Sequence, residues 1–361
     1  MAGCCYFLPF QDAAILIEFP LMFRTRRGKV TGMLLIALLF VAAGVAGACL
    51  GSAEISISQV LRSVFSRLGL CERPDVVADT IVWNLRLPRL VLSALAGASL
   101  GMCGAAMQGM FRNALADPAL IGVSGGGALG AVGAAVIGGS VAVMPPAAIV
   151  GAFVTTALVY NIARVGSRVH SQTMLLAGLA VNALAGALVG FLIQIAAYEE
   201  VRGVLFWLLG SMSGATWTVC GIAAAFSAIP LCILPTQARA LNAMLLGDAE
   251  AFHLGYDVRR VKLLCVVLTA AMVGVSVAFC GAIGFVGLVV PHLARMIFGP
   301  DHRTLLPASA LSGALLLTIA DIGSRTLDAP AELPVGVLTA LMGAPFFLYL
   351  IYRRKGVAEA R

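Results

Sequence analysis

Asp321 and Arg325 stand four residues apart inside an apolar run of this 361-residue sequence. That spacing stacks both side chains on one helix face and predicts an ion pair near the outer end of the run. A carboxylate in such a run is also where a proton-coupled carrier places its coupling residue. Gly122-Val123-Ser124-Gly125 matches the short G-x-S-G string of intramembrane serine proteases. Such a nucleophile needs a histidine base at its own depth. His170, His253, His292 and His302 all fall at segment ends or in loops, so Ser124 reads as a point of close helix packing. His292 reads as structural, neither a metal ligand nor a base. The nine cysteines are scattered without a C-x-x-C pair, which implies no disulfide framework and no zinc site. A nucleotide-binding P-loop needs G-x-x-x-x-G-K-[ST]. Lys29 follows a glycine, but Phe23 occupies the place of the first glycine and Val30 that of Ser/Thr. Lys262 and Lys355 follow Val and Arg. ATP-driven work would therefore need a separate ATPase chain.

The elements that carry these residues are membrane-spanning helices. Hydrophobic residues make up 60% of the chain and charged residues 11%, against about 25% charged in soluble domains. A soluble fold has too little interior to hide that much apolar side chain. The composition excludes an ordinary cytosolic enzyme, a disordered chain and a secreted disulfide scaffold. A spanning helix needs about 20 apolar residues. Runs of that kind fall near 31–51, 88–110, 119–141, 144–164, 173–197, 217–236, 262–282, 283–298, 305–326 and 334–352. The pair within 262–298 is one apolar run broken by Gly281, Gly284 and Gly287, and reads as one broken helix or two. The fold class is all-α and polytopic, with about ten transmembrane helices.

Charge placement supports ten helices with both termini cytoplasmic. In that arrangement only seven of the 24 basic residues (Arg62, Arg67, Arg73, Arg86, Arg89, Arg202 and Arg325) face outward, as the positive-inside rule requires. The formal charge of +7 is thus a lipid-related asymmetry, not a nucleic-acid signature. Residues 1–30 read as a cytoplasmic extension without a signal-peptide pattern, with Met22 the expected start. Residues 31–353 form the membrane domain and 354–361 a cytoplasmic tail. Amphipathic Ile55–Leu68 and the stretch Val201–Leu209 predict short helices at the outer face. Leu241–Leu254 predicts a cytoplasmic one. Gly97, Gly101, Gly104 and Gly109 predict close helix approach.

Longer motifs carry a family resemblance. They are Leu85-Arg86-Leu87-Pro88-Arg89; Met107-Gln108-Gly109-Met110-Phe111-Arg112-Asn113-Ala114-Leu115-Ala116-Asp117-Pro118; Leu120-Ile121-Gly122-Val123-Ser124; Leu176-Ala177-Gly178; and Phe206-Trp207-Leu208-Leu209-Gly210-Ser211. Gly281 to His292, Gly299-Pro300-Asp301-His302-Arg303 and Ala331 to Val337 follow in order. Over about residues 33–353 the chain resembles the FecCD-type permeases of ABC importers, which take up ferric siderophores, haem or cobalamin. The resemblance implies a homodimer or close heterodimer in the bacterial inner membrane. It also implies two ATPase subunits below, which hold ATP and Mg, and a periplasmic binding protein above. The chain itself would bind no cofactor and no metal. Its cargo is expected to be a metal chelate, with ferric siderophore first by family frequency; the alternative is a proton-coupled carrier working through Asp321.

The resemblance also assigns residues. Arg86, Arg89 and Arg325 would face the periplasm and receive carboxylates of the binding protein, a contact suited to arginine forks. Leu241–Tyr256 resembles the family's coupling helices, with Leu241, Asn242, Leu245, Leu246, Gly247, Asp248, Glu250, Leu254 and Gly255 meeting the ATPase. Its apolar positions Leu241, Leu245 and Leu254 suit a helix-in-groove contact. Asn113, Leu115, Ser171, Gln172 and Thr173 match the cytoplasmic gate. Ala114 stands where the family commonly has proline, which predicts a less rigid turn there.

Overall fold

The computed structural model describes residues 25–359, apart from 52, 54, 68, 73, 74, 138–142, 167 and 197. Most of the expected extension over 1–30 therefore lies outside the described residues, as do 360 and 361 of the tail. The helices, in chain order, are α1 (Arg26–Cys49), α2 (Ile57–Ser66), α3 (Val76–Thr80), α4 (Leu87–Phe111), α5 (Val123–Val136), α6 (Met144–Ala163), α7 (Ser171–Ile195) and α8 (Tyr198–Leu208). They continue with α9 (Trp217–Ile233), α10 (Ala238–Met244), α11 (Asp248–His253), α12 (Val258–Cys280), α13 (Val286–Phe298), α14 (His302–Thr326) and α15 (Val335–Glu359). A two-residue antiparallel hairpin, Arg164–Val165 with Arg168–Val169, joins α6 to α7.

Lipid offers no hydrogen bonds to a backbone, so apolar runs close their own as helices. Among the described residues, seven helical runs are long and apolar enough to cross: α1, Val76–Phe111, α6, α7, Trp217–Met244, α12 and α14. Three shorter apolar helices, Val123–Val136, Val286–Phe298 and Val335–Tyr349, fill the remaining expected positions. Helices α4 and α12 form the buried centre, and α4 packs against α14, α13, α12 and α9. Glycines make the closest of these approaches possible. A Cβ on Gly97 would run into the Gly313 carbonyl, and one on Gly101 into that of Ser309.

Three boundaries differ from the sequence expectation and one left open is decided, each for a local reason. The second run starts at Val76, not 88, because a π-helical turn at Ile81–Arg86 links α3 to α4 without a break. The third opens with a 3-10 turn, Pro118–Ile121, whose Asp117 accepts the Ala119 N–H at 2.8 Å. The run over 262–298 is two helices, because Gly281 and Phe285 take φ of 71° and 67° and stop the helix between them. Ser211 N–H donates to Cys280 O there at 2.9 Å, and Val335 N–H to Gly210 O at 2.9 Å. Three irregular segments thus satisfy one another's backbone inside protein. Finally, the expected cytoplasmic helix is broken: α9 runs through a 3-10 turn into α10, and Gly247 at φ 142° separates α10 from α11.

Candidate functional site: two ends of one bundle

The predicted site residues divide between opposite ends of the bundle. At the outer end, all three predicted docking arginines are buried. Arg86 donates from Nη1 to Ala48 O and Cys49 O, each at 2.7 Å, and from Nη2 to Ala53 O. Arg325 reaches the same helix terminus, donating to Leu50 O and Gly47 O at 3.2 Å each. Two guanidinium groups therefore cap the free carbonyls at the C-terminal end of α1, where a helix favours cations. Arg89 pairs with Asp321 at 2.9 Å and Glu332 at 2.7 Å, while Arg325 Nε meets Asp321 at 3.1 Å. The three arginines do not stand free at a rim. Each is committed within the chain, because a buried cation must find acceptors.

Sequence spacing anticipated the Asp321–Arg325 pair. It missed Arg89 as the second cation on Asp321, a contact across 232 positions. Trp83 was missed too: its ring carries the Arg67 guanidinium 4.9 Å from the centroid and lies 5.2 Å from the Trp217 ring. Both tryptophans stand at the outer ends of spans, where such rings commonly anchor.

The inner end gathers α10, α11 and the start of α14. Asn242 fastens α10 to α14: its Oδ1 accepts from the His302 backbone N–H at 2.9 Å and lies 2.8 Å from His302 Nδ1. Its amide donates to Asp301 at 2.7 Å. Partial burial alone would raise the Asp301 carboxyl. The Arg303 N–H, the Asn242 amide and the nearby Lys29 and Arg303 charges instead hold it below the usual carboxylate range. Lys29 thus lies at the same end as Asp301, as the topology expected.

On this base α11 projects an apolar knob. Leu246, Phe252 and Leu254 are 54%, 69% and 61% exposed. Arg239, Asn242, Ala243, Leu246, Leu254, Tyr256 and Arg303 line a depression of about 380 Å³ beside it. Leu241 is fully buried and serves the bundle's own core, so the helix-in-groove role expected for it does not fit. Leu245 is half-buried, while Glu250 and Gly255 are exposed. Phe252 was missed by sequence reading. Its signal is a large apolar residue in an otherwise polar loop.

The expected gate residues lie at this same end. Asn113 Oδ1 accepts the Leu115 N–H at 2.9 Å, a side-chain turn across Ala114. Leu115 and Gln172 are exposed, and Ser171 and Thr173 half-buried. Burial raises the Asp117 carboxyl, although the Ala119 N–H opposes this. The Ser124 string is a packing element: Gly125 N–H donates to Asn182 at 3.2 Å, and Gly126 lies against Gly151 and Thr155.

The FecCD transport family model matches residues 35–353. The chain belongs to the FecCD transport family. It is 45% identical over 285 residues to the hemin transport system permease HmuU of Yersinia pestis, which covers 76% of this chain and 84% of that protein. It is 44% identical over 279 residues to the cobalamin import permease BtuC of Halobacterium salinarum, covering 77% and 75%. A solved inward-facing metal-chelate type ABC transporter superposes with a TM-score of 0.79 at 31% identity, covering 90% of this chain and 99% of that one. This FecCD permease is thus a multi-pass membrane subunit of the ABC-importer type. The proton-coupled alternative loses its support, because Asp321 is held by two arginines inside the α4–α14 contact.

Proposed function

We propose that the permease works as one of two paired membrane subunits, driven by two ATPase chains that grip the inner-face knob and fed by a periplasmic binding protein at the opposite end. The observation that carries this reading is the exposed Leu246–Phe252–Leu254 knob, with α11 tied to the bundle through Asp248 and Lys262, on a chain without a P-loop. A largely exposed group of large apolar side chains on a polar face marks a docking surface. The knob lies at the end where Arg239, Arg303 and Lys29 gather, which is the cytoplasmic side by the positive-inside rule. Both termini are then cytoplasmic, in a bacterial inner membrane.

The proposed cargo is a metal chelate. The relatives carry haem and cobalamin in their names, which favours a macrocyclic chelate over the ferric siderophore expected from family frequency. Docking of the binding protein is assigned to the outer end. There Arg86, Arg89 and Arg325 act by holding the α1 terminus and the 327–334 loop in shape, and Glu332 is the partly exposed member of the cluster. Gate movement is assigned to the Asn113–Leu115 turn and the Ser171–Thr173 start of α7.

Reconstitution with the ATPase and binding protein encoded beside it tests the reading. Vesicles offered haemin, cyanocobalamin or a ferric siderophore are expected to accumulate one of them only with ATP. Uptake that survives ATP depletion and stops with a protonophore overturns the proposal.

A further inference from the structure

Lys262 sits one turn into α12 and is 1% exposed. A lysine ammonium has three N–H donors and no acceptor. All three are engaged: with Val169 O at 2.9 Å, Ser171 Oγ at 3.0 Å and Asp248 Oδ2 at 2.5 Å. Those acceptors belong to the hairpin's second strand, the first residue of α7 and the first residue of α11. One desolvated charge therefore joins three elements to the buried helix α12.

The joint is stiff for an electrostatic reason. Removing any partner leaves a buried cation short of a bond, which costs far more than losing a surface contact. Helix α11 cannot shift without its Asp248 carrying the ammonium along or exposing it. Helix α7 packs on α5 and α6 and turns Leu176, Leu179, Leu184, Phe191 and Ile195 outward. The Lys262 joint fixes its N-terminal end.

We propose that Lys262 is the positioning residue that transmits movement of the α11 knob to helix α7, through Asp248 on one side and Ser171 with Val169 on the other. This rests on the reading of the knob as the ATPase grip. Hydrogen–deuterium exchange on the complex with its ATPase tests it, comparing the wild type with Lys262→Met, before and after trapping with ADP and vanadate. Trapping is expected to alter exchange across 248–254 in both proteins. Across 170–176 it is expected to alter exchange in the wild type only, and the variant exchanges there about tenfold faster from the outset. Asp248→Asn keeps the oxygen and the size but not the charge, and is expected to weaken the 170–176 response in the same direction. It carries the same comparison where Lys262→Met does not assemble. An equal response of 170–176 in wild type and variant overturns the link and leaves the importer reading intact. So does a wild type whose 248–254 responds while 170–176 does not. A wild type whose 248–254 never responds overturns the grip, and the link with it.

Discussion

Asp321 holds two cations on one carboxylate, so its removal weakens both sites. Asp321→Ala leaves Arg89 with Glu332 as its one carboxylate and Arg325 with backbone carbonyls alone. The expected loss is about 3–5 kcal/mol, read as a large fall in the unfolding temperature in detergent. A fall of less than about 1 °C on the usual scaling would show that solvent, not protein, compensates these charges. Asp301 behaves differently because it is half-buried and held below the usual carboxylate range by its hydrogen bonds and nearby cations. A depressed carboxylate contributes stability above its unfolded value of about 3.9 and loses it as pH falls through the lower folded value. Wild type and Asp301→Asn are therefore expected to differ by the same amount at pH 5 and pH 8. A gap that closes by pH 5 contradicts the assignment. The i, i+4 pair was legible in the chain; the second arginine was not, since nothing local marks position 89 as a neighbour of 321.

Helix against helix, small residues decide how near α4 and α14 lie. Gly101→Leu must force its side chain into the Ser309 carbonyl. The expected cost is about 1–3 kcal/mol of overpacking, or more, seen as reduced folded yield and a lower unfolding temperature. Gly186, with nothing near its Cβ position, is the control, and Gly186→Leu is expected to be tolerated. The knob yields the converse prediction. Phe252→Ala removes a side chain that the permease itself does not bury. Its unfolding temperature is expected to stay unchanged, while affinity for the ATPase falls by roughly tenfold or more if the residue is a hot spot. Unchanged ATPase affinity would remove Phe252 from the grip. The existence of a helical segment between α9 and α12 was legible from its apolar spacing. Its break at Gly247 was not, nor was the packing that buries Leu241 and leaves Leu246 exposed.

Across the whole molecule, the two ends differ in charge and in purpose. The inner end collects basic side chains and exposes an apolar knob; the outer end buries its arginines among carbonyls and carboxylates. Orientation is checked by labelling with a membrane-impermeant maleimide. Cys71, exposed at the outer end, is expected to react in spheroplasts. A cysteine placed at Phe252 is expected to react only in inside-out vesicles. The reverse pattern would invert the topology and with it every assignment of an end.

Composition and run length alone settled that this chain is a helical bundle in lipid, because hydrophobic burial is a sum over residues and needs no knowledge of partners. The ordered motifs settled its family for the same reason: they are local strings. Which helices touch is a different kind of fact. Whether Arg86 stands at a rim or caps α1, whether Leu241 faces a motor or the core, and which three elements meet on Lys262 all depend on atoms far apart in the chain. Buried charges choose their partners only once packing has excluded water, so the roles of these residues were decided by the tertiary structure.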